Sequence, residues 1–106
     1  IVIRDFLTTS LRERICEFAA GHGIAVIAEQ REFAEAGALF SYGADIPELF
    51  RTAAAYVARI IAGENPGDLP IQLPSKLEMV LNLQTARTLR LAPPPDLLAR
   101  ADDVIE

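Results

Sequence analysis

The chain is poor in the residues that most often perform catalysis or bind metals. It has one cysteine, Cys16, and one histidine, His22, so an internal disulfide is impossible and the paired motifs of a zinc site are absent. It also lacks a P-loop and a glycine-rich dinucleotide fingerprint. No apolar run approaches the ~20 residues of a membrane-spanning helix. We therefore expect no metal, no cofactor and no catalytic centre.

Basic residues are scarce as well. Ten Lys and Arg stand against fifteen Asp and Glu, which gives a net charge of −5. Nucleic-acid and anionic-membrane surfaces need clusters of basic residues, so no nucleic-acid partner is expected. The hydrophobic fraction is 51% of 106 residues, which is enough for one domain with a buried core.

Cys16 and His22 both have a structural explanation. Cys16 falls within a predicted helix, near its buried side, where a thiol packs as a small apolar group. His22 follows the end of that helix, where an imidazole can meet free backbone carbonyls. Packing and helix termination are therefore favoured over nucleophilic or acid–base roles.

Short apolar runs alternate with helical patterns along the chain, which predicts an α/β fold with a largely parallel sheet. The chain opens on Ile1-Val2-Ile3 without a Met or a basic leader, which we interpret as a cut through a buried strand and hence as a fragment. Ser10 and Glu13 are spaced as a capping box that would start the first helix. Strands are predicted at residues 24–28, 38–42 and 77–81, and helices at residues 11–20, 46–62, 83–89 and 96–104.

The helix over residues 46–62 carries the strongest pattern. Asp45 and Glu48 form an acidic capping box, and Pro47 suits the first turn. Apolar residues recur at steps of three and four, which predicts a face that must pack on a sheet or a partner. They are Ile46, Leu49, Phe50, Ala53, Ala54, Val57, Ile60 and Ile61.

Two segments carry candidate binding residues. Glu29 directly follows an apolar strand, and ligands bind at the carboxyl ends of strands in open α/β sheets; a solvated loop charge is the alternative. The same two alternatives apply to Arg31 and Glu32, for which pairing with each other is a third. Tyr42 and Asp45 lie at a strand-to-helix junction, where packing of the ring and capping of the helix are the alternatives to ligand contact.

The order of several motifs is similar to a known family. EAGALFSYGAD at residues 35–45, the segment 51–66, NLQTA at 82–86 and LLARADDVIE at 97–106 together resemble the C-terminal part of ABC transporter substrate-binding proteins of the tryptophan/tyrosine type. Arg90 departs from the glycine usual in the family, which puts the left-handed turn expected there in doubt.

The resemblance implies a type I periplasmic-binding-protein-like fold, in which two α/β lobes joined by three crossovers close on a ligand. Residues 1–42 would belong to the C-terminal lobe, and residues 43–68 would form a crossover and a long helix packed on the missing N-terminal lobe. Residues 69–106 would supply a return strand and C-terminal helices. The cleft would lie near Phe6, Glu29, Tyr42 and Asp45.

The implied function is non-enzymatic. The parent protein would deliver a small solute, an amino acid or an aromatic compound, to the permease of an ABC importer in the periplasm or another extracytoplasmic space. A ligand-sensing domain of a regulator with the same fold is the alternative, and part of an α/β enzyme is less favoured. The isolated chain is expected to form a homodimer, because the stripe of its long helix would otherwise face solvent.

Overall fold

A four-stranded sheet organises the chain, which is described over residues 1–106 by a computed structural model. The strands lie in the order β1–β2–β3–β4, with β1 parallel to β2 and β3 parallel to β4. The predicted α/β class with a mostly parallel sheet is therefore confirmed. In chain order the elements are α1 (Phe6–Ser10), α2 (Arg12–Gly21), β1 (Ile27–Ala28), α3 (Arg31–Glu35), β2 (Phe40–Ala44), α4 (Ile46–Ile61), a 3₁₀ turn (Pro66–Asp68), β3 (Leu77–Asn82), α5 (Leu83–Thr88), α6 (Pro95–Arg100) and β4 (Asp103–Ile105).

The central pair of strands, β2 and β3, runs antiparallel. Asn82 N donates to Leu39 O at 2.9 Å, and Asp45 N donates to Lys76 O at 3.2 Å. From the first bond to the second, the residue number rises from 39 to 45 on one segment and falls from 82 to 76 on the other. This defines an antiparallel register. The carboxyl ends of β1 and β2 consequently lie at the same edge of the sheet as the amino ends of β3 and β4.

The amino-terminal segment joins the sheet through one residue. Val2 forms a parallel bridge with Ala28, and its N–H donates to Ile27 O at 2.8 Å. Ile1 and Ile3 are exposed, so the prediction of a buried strand over residues 1–3 is wrong for these two side chains.

The helix predicted over residues 11–20 is α2, but a short additional helix, α1, precedes it, and Ser10 does not act as a cap. Asp5 accepts a hydrogen bond from Leu7 N at 2.7 Å, while its own N–H donates to the Thr8 hydroxyl at 3.0 Å. Asp is among the best N-cap residues, and Thr8 supplies the reciprocal bond of the box. Ser10 is therefore already helical, and its hydroxyl donates back to Phe6 O at 2.6 Å.

The carboxyl-terminal tail also differs from the prediction. The helix expected over residues 96–104 ends at Arg100, and Asp103–Ile105 forms β4. Val104 lies opposite Leu81 in the parallel register, and the Asp102 carboxylate accepts from Met79 N at 2.8 Å. Backbone bonds to β3 and a β-branched pair of residues override the short helical pattern.

The core lies between the sheet and the short helices. Phe33, Val80 and Leu81 are buried almost completely. Asn82 is the notable buried polar residue: it accepts from Thr85 N as the cap of α5 and donates to Ala34 O, both at 2.9 Å. Both ends of its amide are thus satisfied, which removes the cost of burying it.

Cys16 and His22 have the structural roles inferred from the sequence. Cys16 is buried, and burial raises the pKa of its thiol, which disfavours the reactive thiolate. His22 Nδ1 lies 2.7 Å from Phe18 O at the end of α2, and its ring stacks on Phe18. Phe18 itself is exposed.

Arg90 adopts the left-handed conformation that the family resemblance placed in doubt. Its φ is 57°, the value at which glycine is usually preferred. Leu91 N donates to Ala86 O at 2.8 Å, so the helix stop after α5 forms with arginine in place of glycine.

The chain divides into two compact units, Ile1–Gly43 with Glu78–Glu106, and Ala44–Leu77. The second unit consists of α4 and the extended segment after it. Asp45 caps α4 as predicted, and no residue of this 16-residue helix is buried. Phe50, Val57 and Ile61 are 72%, 54% and 81% exposed and form one apolar stripe. No helix of the chain is both long enough and apolar enough to cross a membrane.

Candidate functional site

Two of the predicted site residues lie side by side at one edge of the sheet. Ala28 is paired with Ser41 in the parallel register of β1 and β2, so the next positions, Glu29 and Tyr42, are level with each other. Glu29 is exposed and forms no hydrogen bond or ion pair, and Tyr42 is about half exposed. The edge of the sheet where their strands end is the usual ligand-binding edge.

Gly43 brings the loop after β1 against β2. A Cβ atom placed on Gly43 would lie 2.2 Å from the carbonyl oxygen of Glu29, which no side chain can tolerate. Glycine is needed here because the two backbones approach closely. A left-handed conformation is not the reason, since Gly43 does not have positive φ. The backbone position of Glu29 therefore depends on the absence of a side chain at Gly43.

Phe6 lies on the wall of a neighbouring pocket of about 360 Å³. Its side chain is 91% exposed, which is unusual for an aromatic residue. The other residues of the wall are Arg4, Asp5, Thr9 and Gln30, and the Thr9 hydroxyl donates to Gln30 Oε1 at 3.0 Å. A volume of this size falls in the range of small-molecule sites, roughly 300–1,000 Å³.

The sequence interpretation missed the polar part of this pocket. Arg4 follows the apolar run at residues 1–3 just as Glu29 follows the apolar run at residues 24–28. The strand-end argument applied to Glu29 therefore applied equally to Arg4. Gln30, next to Glu29, carried no separate signal.

Asp45 belongs to the other compact unit, and its carboxylate is engaged. Lys76 Nζ donates to it at 2.8 Å, and Glu48 N donates to it at 3.0 Å. The Lys76 ammonium, followed by the Glu48 amide, holds the pKa of Asp45 below its usual value. The N-cap role is confirmed, but the reciprocal bond of a capping box is not formed, because Glu48 pairs with Arg51.

A larger depression, of about 650 Å³, lies within the Ala44–Leu77 unit between α4 and residues 69–76. The charged side chains and the tyrosine hydroxyl that line it are already paired: Tyr56 donates to Pro70 O at 2.6 Å, Asp45 binds Lys76, and Glu48 binds Arg51. We interpret it as a packing groove, since the charged groups that would fix a ligand are engaged within the unit.

Arg31 joins three carboxylates near the candidate site. It binds Glu35 at 2.8 Å, Glu78 at 3.0 Å, and Asp103. The alternative of a pair with Glu32 is wrong, because adjacent residues on a helix point in different directions whereas positions i and i+4 meet. Arg31, and secondarily the Val104 amide, lower the pKa of Asp103. This cluster ties α3 to the amino ends of β3 and β4.

Comparison with known proteins identifies the family. The model of the family described as ABC transporter substrate binding protein matches residues 1–105. The chain belongs to this family. Its expected resemblance to substrate-binding proteins is therefore confirmed.

Solved structures of related chains agree with the fold of this ABC transporter substrate-binding chain. A conserved domain protein from Vibrio cholerae O1 biovar El Tor is 29% identical with a TM-score of 0.89, over 96% of this chain and 34% of that one. An ABC domain in complex with L-Trp from Streptococcus pneumoniae is 22% identical with a TM-score of 0.85, over 95% and 35%.

A third solved structure is the ligand-free, open form of a substrate-binding protein with adhesive properties from Clostridium difficile. It is 22% identical with a TM-score of 0.68, over 99% of this chain and 35% of that one. The present chain thus spans about a third of the length of the solved proteins that it matches. No match was found among curated proteins.

We predict that Gly43→Ala destabilises the chain by roughly 1–3 kcal/mol, because the new methyl group collides with the Glu29 carbonyl and forces a backbone shift. Gly21→Ala is the matched control: no atom lies within 4 Å of its added methyl group, and alanine in a helix stabilises by about 0.5–1 kcal/mol. Urea unfolding monitored by circular dichroism gives both free energies. A Gly43→Ala chain as stable as the wild type would show that the contact is relieved at no cost.

Arg31→Gln is predicted to lower the stability at neutral pH by about 1 kcal/mol, since three charge-assisted bonds are lost at a partly exposed position. The pKa of Asp103 is depressed in the folded chain, so its contribution is present above the unfolded value near ~4 and is lost as the pH falls further. Melting curves of the variant and the wild type should therefore converge at acidic pH. Arg51→Gln, which removes an exposed ion pair on α4, should change neither the stability at neutral pH nor its dependence on pH. If the melting temperatures of Arg31→Gln and the wild type differ by the same amount down to low pH, the role of Arg31 is contradicted.

Proposed function

We propose that this chain is the C-terminal part of an extracytoplasmic solute-binding protein that delivers an amino acid, preferably an aromatic one, to the permease of an ABC importer. The observation that carries the proposal is the family match over residues 1–105. It is supported by the position of Glu29 and Tyr42 at the ends of neighbouring strands, and by the pocket that Phe6 and Gln30 line beside them.

The chemistry of these side chains suits such a solute. Phe6 and Tyr42 offer aromatic surface, on which an apolar or aromatic body can stack. Glu29 offers a carboxylate without a protein partner, which can accept the ammonium group of an amino acid. The L-Trp complex of the streptococcal relative is consistent with this class of ligand. We retain Asp45 as a proposed cleft residue that acts chiefly through its cap and its bond to Lys76.

We also propose that the apolar stripe of α4 packs on the N-terminal lobe of the parent protein, with residues 43–68 as a crossover and residues 1–42 and 69–106 in the assignments predicted above. Phe50, Val57 and Ile61 are the exposed members of that stripe. Burying three such side chains stabilises an interface by several kcal/mol, roughly 1.5–3 each. In the isolated chain, a second copy would bury the same stripe.

The binding proposal is tested on a longer chain that includes the preceding lobe. Isothermal titration calorimetry with the standard amino acids should show saturable binding of at least one aromatic amino acid, without turnover. Phe6→Ala and Tyr42→Ala should each weaken it by about tenfold or more, as expected for the loss of an aromatic contact. Phe18→Ala, an exposed aromatic on α2, serves as the control. Absence of saturable binding to any amino acid by the folded protein would reject the proposed function.

Self-association of the 106-residue chain is tested by light scattering as a function of concentration. We expect a dimer that Val57→Lys converts to a monomer, because a charge in the stripe cannot be buried without a partner. Leu91→Lys replaces an exposed leucine outside α4 and should leave the dimer intact. A wild-type chain that stays monomeric at high concentration would contradict the proposal.

A further inference from the structure

Arg4 differs from the other arginines of the unit formed by Ile1–Gly43 and Glu78–Glu106 in its place beside Phe6; Arg14, Arg87, Arg90 and Arg100 also lack a partner but do not line that pocket. Arg31 is held by three carboxylates, and Arg12 binds Glu13 and Thr9 O. Arg4 forms no hydrogen bond or ion pair, although it lines the pocket beside Phe6. A guanidinium carries five N–H donors, all of which remain free here.

The position of Arg4 follows from the strand pairing. Val2 is paired with Ala28 in parallel, so the chain leaves the sheet through Arg4 on one segment and Gln30 on the next. Both residues line the same pocket at the carboxyl ends of these segments. This is the edge of an open α/β sheet where ligands bind.

Gln30 and Asp5 are further polar residues of the pocket, and each uses only part of its hydrogen-bonding capacity within the protein. Gln30 Oε1 accepts from Thr9, so the Gln30 amide N–H groups are free. The Asp5 carboxylate caps α1 and accepts from Leu7 N at 2.7 Å and from the backbone N–H of Thr8. The pocket thus combines one guanidinium and one carboxylate with an exposed aromatic ring. This combination complements a zwitterion with an apolar body rather than a polyanion or an uncharged compound.

We propose that Arg4 binds the carboxylate of the solute, which makes it a specificity-determining residue for free α-amino acids over their decarboxylated amines. A guanidinium matches a carboxylate through two parallel N–H···O bonds, a geometry that lysine cannot reproduce. The assignment rests on the proposed binding function, and it adds the ligand group that Arg4 recognises.

The test compares two pairs of ligands on the wild type and on variants of Arg4, in the longer chain with both lobes. L-tryptophan is compared with tryptamine, which lacks the carboxylate, and L-phenylalanine with phenethylamine. Arg4→Gln should weaken binding of the amino acids by about tenfold to a hundredfold, the loss of a charged bidentate contact. Binding of the amines should be unchanged, and Arg4→Lys should recover part of the loss.

Arg87→Gln is the matched control, because Arg87 is an exposed arginine of α5 without a partner; its affinities should equal those of the wild type. Equal weakening of amino acid and amine by Arg4→Gln would overturn the assignment, since Arg4 would then contact another part of the protein. If Arg4→Gln weakens the binding of neither the amino acids nor the amines, the assignment is overturned and the proposed binding function is unaffected. If the wild type binds neither amino acid, the proposed function fails as well, so the two failures are distinguishable.

Discussion

Parallel pairing of three neighbouring segments is the constraint on which the candidate site depends. Val2 pairs with Ala28, and Ala28 pairs with Ser41, so the three segments end at one edge of the sheet. β1 has only two residues, and its position is secured by close packing, with Gly43 against the Glu29 carbonyl. Residues far apart in sequence thereby come together: Arg4 and Phe6 share a pocket with Gln30, and Glu29 lies level with Tyr42.

Some charged side chains form ion pairs within the protein, and others have no partner. Arg31 neutralises three carboxylates that join α3 to β3 and β4. Asp45 and Lys76 lie near the two sequence ends of the Ala44–Leu77 unit and form an ion pair with each other. Such pairs contribute modestly to stability when exposed, but they fix geometry. Arg4 and Glu29, at the edge of the sheet, have no such partner and are the charged residues that we propose to contact the solute.

The long helix α4 shows why this chain is best understood as part of a larger protein. Its stripe follows helical spacing closely, yet none of its residues is buried. The chain spans about a third of the length of its solved relatives. Exposed apolar stripes of this kind mark interaction surfaces, and the occupants that we propose are the preceding lobe in the parent protein and a second copy in the isolated chain.

Local signals in the sequence determined much of the secondary structure. The caps Asp45 and Asn82 and the periodicity of α2 and α4 depend on residues a few positions apart, so they could be predicted from the sequence. Family membership, too, was predictable from the order of short motifs such as residues 35–45. The Ser10 cap failed because Asp5 offered a stronger start one turn earlier.

Only the tertiary structure decided which residues meet. The tail became β4 because a strand edge was available beside β3, and Arg31 bound Glu78 and Asp103 rather than its neighbour Glu32 because strand order brought those carboxylates within reach. Arg4 and Gln30 share a pocket for the same reason. Sequence patterns determine the conformation of a segment through contacts over one or two turns. A site forms when separate segments pair, and the sequence patterns do not specify which segments pair with each other.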